Sequence, residues 1–470
     1  MRNAYYRRYI LTTWVGGDLS SVNLSPRPVQ TDWPLILPAQ APCQGLTTRR
    51  KELTVVYQPR VADRELTTRL DATGAIVIEG PKACGKTATA RQVARSEVLL
   101  DVDANARRAI ALDPDLVLAG PTPRLIDEWQ IEPAIWNHIR RAVDDRGMPG
   151  QFILTGSAAP TDDITRHTGA ARLARLRMRP MSLREAGRST GVISLHALLA
   201  GQDPRSADPG LVLGDLTEQV VIGGWPANLN RTVTQSTQAV RDYLDEMQRT
   251  DIRRVGQTTR DPEKVGRLIR ALARHVSTGV TIATLCADAG GADGPLARDT
   301  VSDYLAALER LMIIEDQPAW APHLRSRSRV RSAAKRHFVD PSLAAAALRV
   351  TPDRLLADLN LFGFLFESLV IRDLRIYAQA ADATVLHYRD NTGLEVDAIV
   401  EAADGRWAAF EVKLGQGQTD QAAAALLNFA QRVDTTKCGA PAALAVIVGT
   451  GYGYLRPDGV AVIPIGALGP

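Results

Sequence analysis

The residues Gly80-Pro81-Lys82-Ala83-Cys84-Gly85-Lys86-Thr87 fit the pattern G-x-x-x-x-G-K-[ST] at every fixed position. The spacing has a chemical reason. Glycines let main-chain N–H groups turn inward around phosphate oxygens, and a helix that follows directs its positive end at them. Lys86 is then placed to reach the outer phosphates of a nucleoside triphosphate, and the Thr87 hydroxyl to ligate Mg²⁺. The flanks agree, with an apolar run Ala75-Ile76-Val77-Ile78-Glu79 that reads as a strand and a helix-forming stretch from Lys86 to Ser96.

Such a loop needs an acid on a neighbouring strand for the metal and a group that orients the attacking water. Leu125-Ile126-Asp127-Glu128 offers both at a strand's C-terminal end, where ligands sit in parallel sheets. Asp127 is the candidate for Mg²⁺, and Glu128 the candidate general base. Thr155 and Ser157, in Phe152-Ile153-Leu154-Thr155-Gly156-Ser157, stand where hydroxyls would sense the terminal phosphate.

A second group of charged residues lies far downstream. Leu394-Glu395-Val396-Asp397-Ala398-Ile399-Val400 alternates, Arg406–Lys413 suits a partner strand, and Asp404-Gly405 signals the turn. A hairpin pivoting near residue 404 sets Asp397 opposite Glu411, with Lys413 on the same face. Two carboxylates and an ammonium on one face suit Mg²⁺- or Mn²⁺-dependent phosphodiester cleavage: the acids hold the hard cation, and the lysine steers the water it activates. The same residues also suit a solvated Glu–Lys pair on a strand.

These groups must be carried by elements that the patterning outlines. Strands at 75–79, 98–103, 125–127 and 152–155 alternate with helices, implying a mainly parallel sheet covered on both faces. From about 196 to 345 the pattern is helical. Leu268, Ile269, Leu272 and Val276 recur at helical spacing, as do Val301, Tyr304, Leu305, Leu308 and Leu311; a short helix at 281–289 and a strand at 312–315 complete a winged-helix order. Asp299, Asp303 and Glu309 on its third helix argue for a connector rather than a groove reader. After 346 a helix over 362–377, the hairpin, a helix over 421–433 and strands at 443–448 and 459–463 form a second α/β unit. Between these units, Arg325, Arg327, Arg329, Arg331, Lys335 and Arg336 form an acid-free basic string that suits DNA or RNA phosphates, or an acidic surface of a neighbouring subunit.

Composition narrows the class. With 470 residues, 45% hydrophobic and 23% charged, the chain is neither disordered nor fibrous. No apolar run approaches the ~20 residues of a membrane span, and the first residues lack the apolar core of a secretory signal. A cytoplasmic protein with no membrane association is expected. Cys43, Cys84, Cys286 and Cys438 show no metal-ligand spacing. A net charge of +4 permits nucleic-acid binding without requiring it.

Beyond the phosphate loop, the stretches Leu125–Gln130, Gln151–Ser157, Arg179-Pro180-Met181-Ser182-Leu183, Gly223-Gly224-Trp225-Pro226, Phe338-Val339-Asp340-Pro341 and Gly363-Phe364-Leu365-Phe366-Glu367 resemble prokaryotic AAA-type P-loop ATPases that carry a nuclease-like C-terminal domain. The resemblance implies an α/β protein in four parts: an N-terminal extension (1–50), an AAA-type ATPase core (51–195), a helical, winged-helix-like connector (196–345) and a restriction-endonuclease-like domain (346–470). It also implies ATP shared between subunits of a homo-oligomer and an arginine finger, for which Arg172 is the positional match beside Arg166, Arg175, Arg177 and Arg179. The hairpin acids resemble the PD-(D/E)xK nucleases. That pattern makes Asp397, Glu411 and Lys413 the triad and Glu367 an added acid, although Val396 stands where proline is usual. The expected activity is ATP hydrolysis coupled to a metal-dependent nuclease. The alternative is an ATP-driven switch that binds and cuts nothing.

Overall fold

Ala75–Glu79 folds as strand β1, and its alternate residues leave on opposite faces. Ala75 and Val77 pack with Trp136, Ile139 and Val143 of helix α3 (Ile135–Arg146), whereas Ile76 and Ile78 pack with Leu66 and Leu70 of helix α1 (Val61–Ala72). A strand apolar on both faces must lie inside a sheet covered on both sides. Strands β2 (Ser96–Leu99), β3 (Arg124–Asp127), β4 (Phe152–Gly156) and β5 (Leu173–Arg177) complete that sheet in the order β2-β3-β4-β1-β5, every pair parallel. All the strands therefore end at one edge. The chain is seen in a computed structural model that describes residues 57–156, 168–255, 260–292, 294–321 and 334–470.

Two boundaries differ from the pattern-based expectation. Helix α2 is Lys86–Arg91, shorter than 86–96, because Ser96 already begins β2 and the second strand stops at Leu99. Strand β5 was not anticipated, since Leu173-Ala174-Arg175-Leu176-Arg177 carries arginines at alternate positions. It lies at the sheet's edge, where one side is unpaired and charged side chains are tolerated.

The middle of the chain contains helices α4 (Leu213–Ile222), α5 (Val233–Glu246), α6 (Pro262–Arg274), α7 (Ile282–Asp288) and α8 (Arg298–Arg310). An antiparallel pair follows, β6 (Ile314–Gln317) with β7 (Lys335–Phe338), in which Gln317 faces Lys335. The apolar stripes of α6 and α8 are buried as their spacing requires, including Leu268, Leu272, Val301 and Leu308.

Helix α9 (Leu359–Ala380) opens the C-terminal part. It is apolar on nearly every side, so it is enclosed between the middle helices and a six-stranded mixed sheet. The strands are β8 (Ala383–Arg389), β9 (Glu395–Ala402), β10 (Trp407–Lys413), β11 (Ala443–Val448), β12 (Tyr454–Leu455) and β13 (Ala461–Pro464). They lie in the order β12-β13-β11-β10-β9-β8. Pairs β8–β9, β9–β10 and β12–β13 are antiparallel; β10–β11 and β11–β13 are parallel. Helix α10 (Thr419–Arg432) covers the opposite face with Trp320, Trp407 and Phe429. No helix among the described residues is long and apolar enough to cross a membrane.

One buried charge cluster joins these parts. Arg372 of α9 donates to Asp340 and to Asp373 at 2.8 Å each, and none of the three side chains is more than 2% exposed. Asp340 also accepts the Gly224 N–H at 2.9 Å and the Ser342 N–H at 3.0 Å, and Asp373 accepts the Leu183 N–H at 2.9 Å. A Cβ on Gly224 would collide with the Met181 carbonyl, so only glycine lets that backbone close in. Two carboxylates and one guanidinium leave a surplus negative charge, and the three main-chain donors compensate it. Arg372→Ala would strand both acids and is expected to lower stability by roughly 3–5 kcal/mol. The urea midpoint would fall at unchanged slope.

Candidate active sites

At the C-terminal edge of the first sheet the phosphate loop turns through left-handed residues, Ala83 at φ 61° and Gly85 at φ 106°. That reversal is what lets successive N–H groups face a common centre. Lys86 is buried, and its Nζ donates to the Gly80 and Pro81 carbonyls at 3.0 and 2.9 Å. The Thr87 hydroxyl donates to Asp127 Oδ1 at 2.9 Å, and the Thr155 hydroxyl donates to the same oxygen. The loop, β3 and β4 thus meet at one carboxylate. Glu128 follows in a left-handed turn, φ 53°, an uncommon conformation that clusters at functional sites. Burial raises its carboxyl, and the Gln130 amide that donates to it partly offsets the rise.

A hydroxyl and a buried carboxylate in direct contact are the hard oxygen donors that Mg²⁺ prefers, so Thr87 and Asp127 fit that cation. Ser157 lies outside the described residues, as do Arg166 and the arginines at 325, 327, 329 and 331. Arg172 precedes β5 at the opposite edge of the sheet and pairs with Asp144 at 2.8 Å, both side chains about 40% exposed.

Several partners of the loop gave no sequence signal. Arg60 is buried and donates to the Cys84 carbonyl at 2.7 Å, to the Arg179 carbonyl at 2.7 Å and to Glu185 at 3.1 Å. Lys82 reaches across to Asp251, at the end of the α5 region, at 2.5 Å. The contacts of Arg60 with Arg179 and Glu185 and the Lys82–Asp251 pair join residues more than a hundred positions apart, outside any local pattern.

The second site forms on the C-terminal sheet. Ala398 faces Phe410 across the hairpin, the register that brings Asp397 opposite Glu411. Lys413 Nζ lies 2.6 Å from Glu411 and 3.4 Å from Asp397, and Asp397 accepts the Val412 N–H at 3.0 Å. Glu367 comes in from α9. The residue that completes the cluster is Lys335, the first residue of β7. Its Nζ lies 2.8 Å from Glu395, 3.0 Å from Glu367 and 3.1 Å from Asp397, with the side chain only 4% exposed.

That placement corrects two expectations. Lys335 is not part of an outward-facing basic string, and Arg336 is likewise committed, to Asp316 at 3.1 Å. Lys335 Nζ also lies within 3.1 Å of both the Glu367 and the Asp397 carboxyls. Among the described residues no group of three or more His, Cys, Asp or Glu side chains is disposed to hold a metal ion. Glu367, Asp397 and Glu411 with Lys335 in place do not fit Mg²⁺, whose ligands sit near 2.0–2.1 Å.

The electrostatics follow from crowding. Burial, then repulsion from Asp397, pushes the Glu367 carboxyl up to about 8 and that of Glu411 up to about 7. Burial would also raise Asp397, but Lys335 and Lys413 outweigh it and hold that carboxyl below its ordinary value. Burial opposes the charge on Lys335, and Asp397, Glu367 and Glu395 overcome it.

A family model described as an AAA domain matches residues 72–187, which span the parallel sheet and the phosphate loop. Two models described as domains of unknown function match residues 213–354 (DUF8612) and 362–468 (DUF4143). Uncharacterized proteins of Mycobacterium tuberculosis and Mycobacterium bovis are each 23% identical over 411 residues, covering 82% of this chain and 84% of theirs. Among solved structures, a Walker-type ATPase of Pyrococcus abyssi aligns over 62% of this chain and 95% of its own, with 14% identity and a TM-score of 0.38. A signal transduction ATPase with numerous domains and a tetratricopeptide repeat sensor, from Pyrococcus horikoshii, aligns over 67% and 49%, with 13% identity and a TM-score of 0.20. The fold of residues 72–187 is that of a P-loop NTPase, and the domain is an ATPase domain of the AAA type.

The raised Glu367 carboxyl makes stability depend on pH with a definite sign. A carboxyl that stays protonated in the folded chain up to about pH 8 loses its proton in the unfolded chain near pH 4.5. Its contribution is complete below pH 4.5 and fades as pH rises to about 8. Glu367→Gln removes that dependence. The melting temperature of the variant minus that of the parent should climb between pH 5 and 8 and level off above; a flat difference would contradict the assignment.

Proposed function

We propose that this chain is an ATP-hydrolysing protein whose nucleotide state controls a C-terminal, restriction-endonuclease-like domain directed at DNA or RNA. The observation that carries the ATPase half is the meeting of Lys86, Thr87, Asp127, Thr155 and Glu128 at one edge of the parallel sheet. On binding ATP, the Lys86 ammonium exchanges two loop carbonyls for phosphate oxygens, a stronger, charge-assisted partnership. Thr87 and Asp127 would hold Mg²⁺, which would supply positive charge to offset that building on the phosphates. Glu128, its carboxyl already raised by burial, accepts the proton of the attacking water. Arg172 completes the site of a second copy in a homo-oligomer. Its exposed pair with Asp144 is weak enough to exchange for a phosphate.

The C-terminal half of the proposal draws on topology and charge. Helix α9, strands β8, β9 and β10, helix α10 and strand β11 follow one another as a helix, three antiparallel strands, a helix and a parallel strand. Asp397, Glu411 and Lys413 converge on one hairpin face, with Glu367 above them. Buried bonds run from the phosphate loop to that helix. Cys84 accepts from Arg60, Arg60 pairs with Glu185, Glu185 accepts the Ser182 N–H at 2.8 Å, and the next residue, Leu183, donates to Asp373 of α9. A second reading, a switch that binds a partner and cuts nothing, is favoured by the position of Lys335 among the acids.

Lys86→Ala is expected to reduce ATP turnover by at least ~10²-fold. Glu128→Gln should retain ATP binding while turnover falls ~10²–10⁴-fold. Calorimetry and steady-state phosphate release check both, and unchanged hydrolysis in Lys86→Ala would rule the site out. Asp397→Ala should abolish any nucleic-acid cleavage assayed with ATP while ATP turnover persists. Absence of cleavage of every single- and double-stranded DNA and RNA by the intact chain would leave the switch reading.

A further inference from the structure

The acids of the C-terminal sheet belong to one part of the chain and the ammonium that fills them to another. Glu367, Glu395 and Asp397 come from α9 and β9, whereas Lys335 begins β7, which follows the middle helices. Its strand partner Gln317 enters at the same point. Buried completely, its amide donates to the Asp397 and Leu386 carbonyls at 2.9 Å each, and its oxygen meets His337 at 3.1 Å. The β6–β7 pair is therefore seated on the acidic sheet through one ammonium and one amide.

The other end of the same pair faces the ATPase domain. Arg179, two residues beyond β5, donates to both oxygens of Glu315 on β6, at 2.6 and 2.9 Å. Arg177 of the edge strand lies 3.9 Å from Glu315, and Arg375 of α9 lies 3.7 Å away. In the sheet, Arg177 pairs in register with Glu79, the residue immediately before the phosphate loop. Three guanidinium groups converge on one carboxylate of β6, and three carboxylates converge on one ammonium of β7.

We propose that Lys335 is a built-in cation occupying the metal position of the C-terminal acid cluster, carried there by the β6–β7 pair and held by the Arg179–Glu315 contact with the ATPase edge. The cluster excludes divalent metal while Lys335 is seated, and it becomes a Mg²⁺- or Mn²⁺-class site when Lys335 withdraws. Three facts favour this over an incidental ion pair. The ammonium touches three carboxylates rather than one. Its side chain is almost wholly buried, in a position where solvent screening cannot weaken the contacts. And the carboxyl groups around it supply the oxygen donors a hard cation prefers. A monovalent ammonium and a divalent ion cannot share that position.

This inference rests on the nuclease-like reading of the C-terminal domain, and its test is separate from ATP turnover. Mn²⁺ binding is followed by electron paramagnetic resonance on nucleotide-free full-length protein carrying Thr87→Ala, which removes the metal donor at the phosphate loop. The chain with Lys335 intact should bind no Mn²⁺ that depends on Asp397. Lys335→Met should acquire one Mn²⁺, bound at least tenfold more tightly than by its parent, and the further change Asp397→Asn should abolish it. Binding by the parent that Asp397→Asn removes would overturn the proposal, as would a cooperatively melting Lys335→Met variant that binds none. If Lys335→Met does not fold, Arg179→Ala serves instead: loosening β6 should bring Asp397-dependent Mn²⁺ binding that the parent lacks, and its absence overturns the idea. Failure of these titrations leaves the Lys86 result untouched, and loss of the ATPase assignment leaves the titrations interpretable.

Discussion

A guanidinium buried between two aspartates is the constraint on which the arrangement of the chain depends. Arg372 joins Asp340 and Asp373, and through their spare lone pairs it joins the Gly224, Ser342 and Leu183 amides. Each of those amides belongs to a different segment. A buried ion pair of this kind adds little net stability compared with apolar packing, but its geometry is unforgiving. Its consequence here is specificity: the segment after β5, the turn after α4, the segment after β7 and helix α9 can meet in only one way. The segments around Leu183, Gly224 and Asp340 are thereby held in this buried knot.

Helix α9 carries that constraint into the C-terminal sheet. Within two turns it presents Glu367 to the acid cluster and Arg372 and Asp373 to the knot, while Arg375 approaches Glu315. The helix is apolar enough to be enclosed on nearly all sides, so it moves as a rigid piece if it moves at all. Its Glu367 and its Arg372–Asp373 pair thus stand within two turns of each other on one continuous apolar helix. The β6–β7 pair spans the same distance beside it, anchored by arginines at one end and by acids at the other.

The phosphate loop and the acid after β3 were legible because each is a local pattern. Glycines, lysine and threonine must stand at fixed spacing for the main chain to wrap a phosphate, and Asp127 follows the short apolar run Leu125-Ile126, which Pro123 and Arg124 interrupt. The hairpin was legible for a similar reason, since a turn at Asp404-Gly405 sets the register of Asp397 against Glu411 by counting alone. Strand β5 was missed because alternating arginines disguise an edge strand. Lys335 was misread because six cations in twelve residues suggest an exposed string, whereas its partners lie 32, 60 and 62 positions away.

The sequence alone determined the features governed by short-range stereochemistry: the loop that grips a triphosphate, the helical stripes of the middle region and the pairing of one hairpin. Tertiary structure decided which charges meet. Coulomb attraction and desolvation act through space without regard to position along the chain, so the seating of Lys335 among three acids, the grip of Arg60 on the phosphate loop and the knot at Arg372 exist only once the chain has closed upon itself.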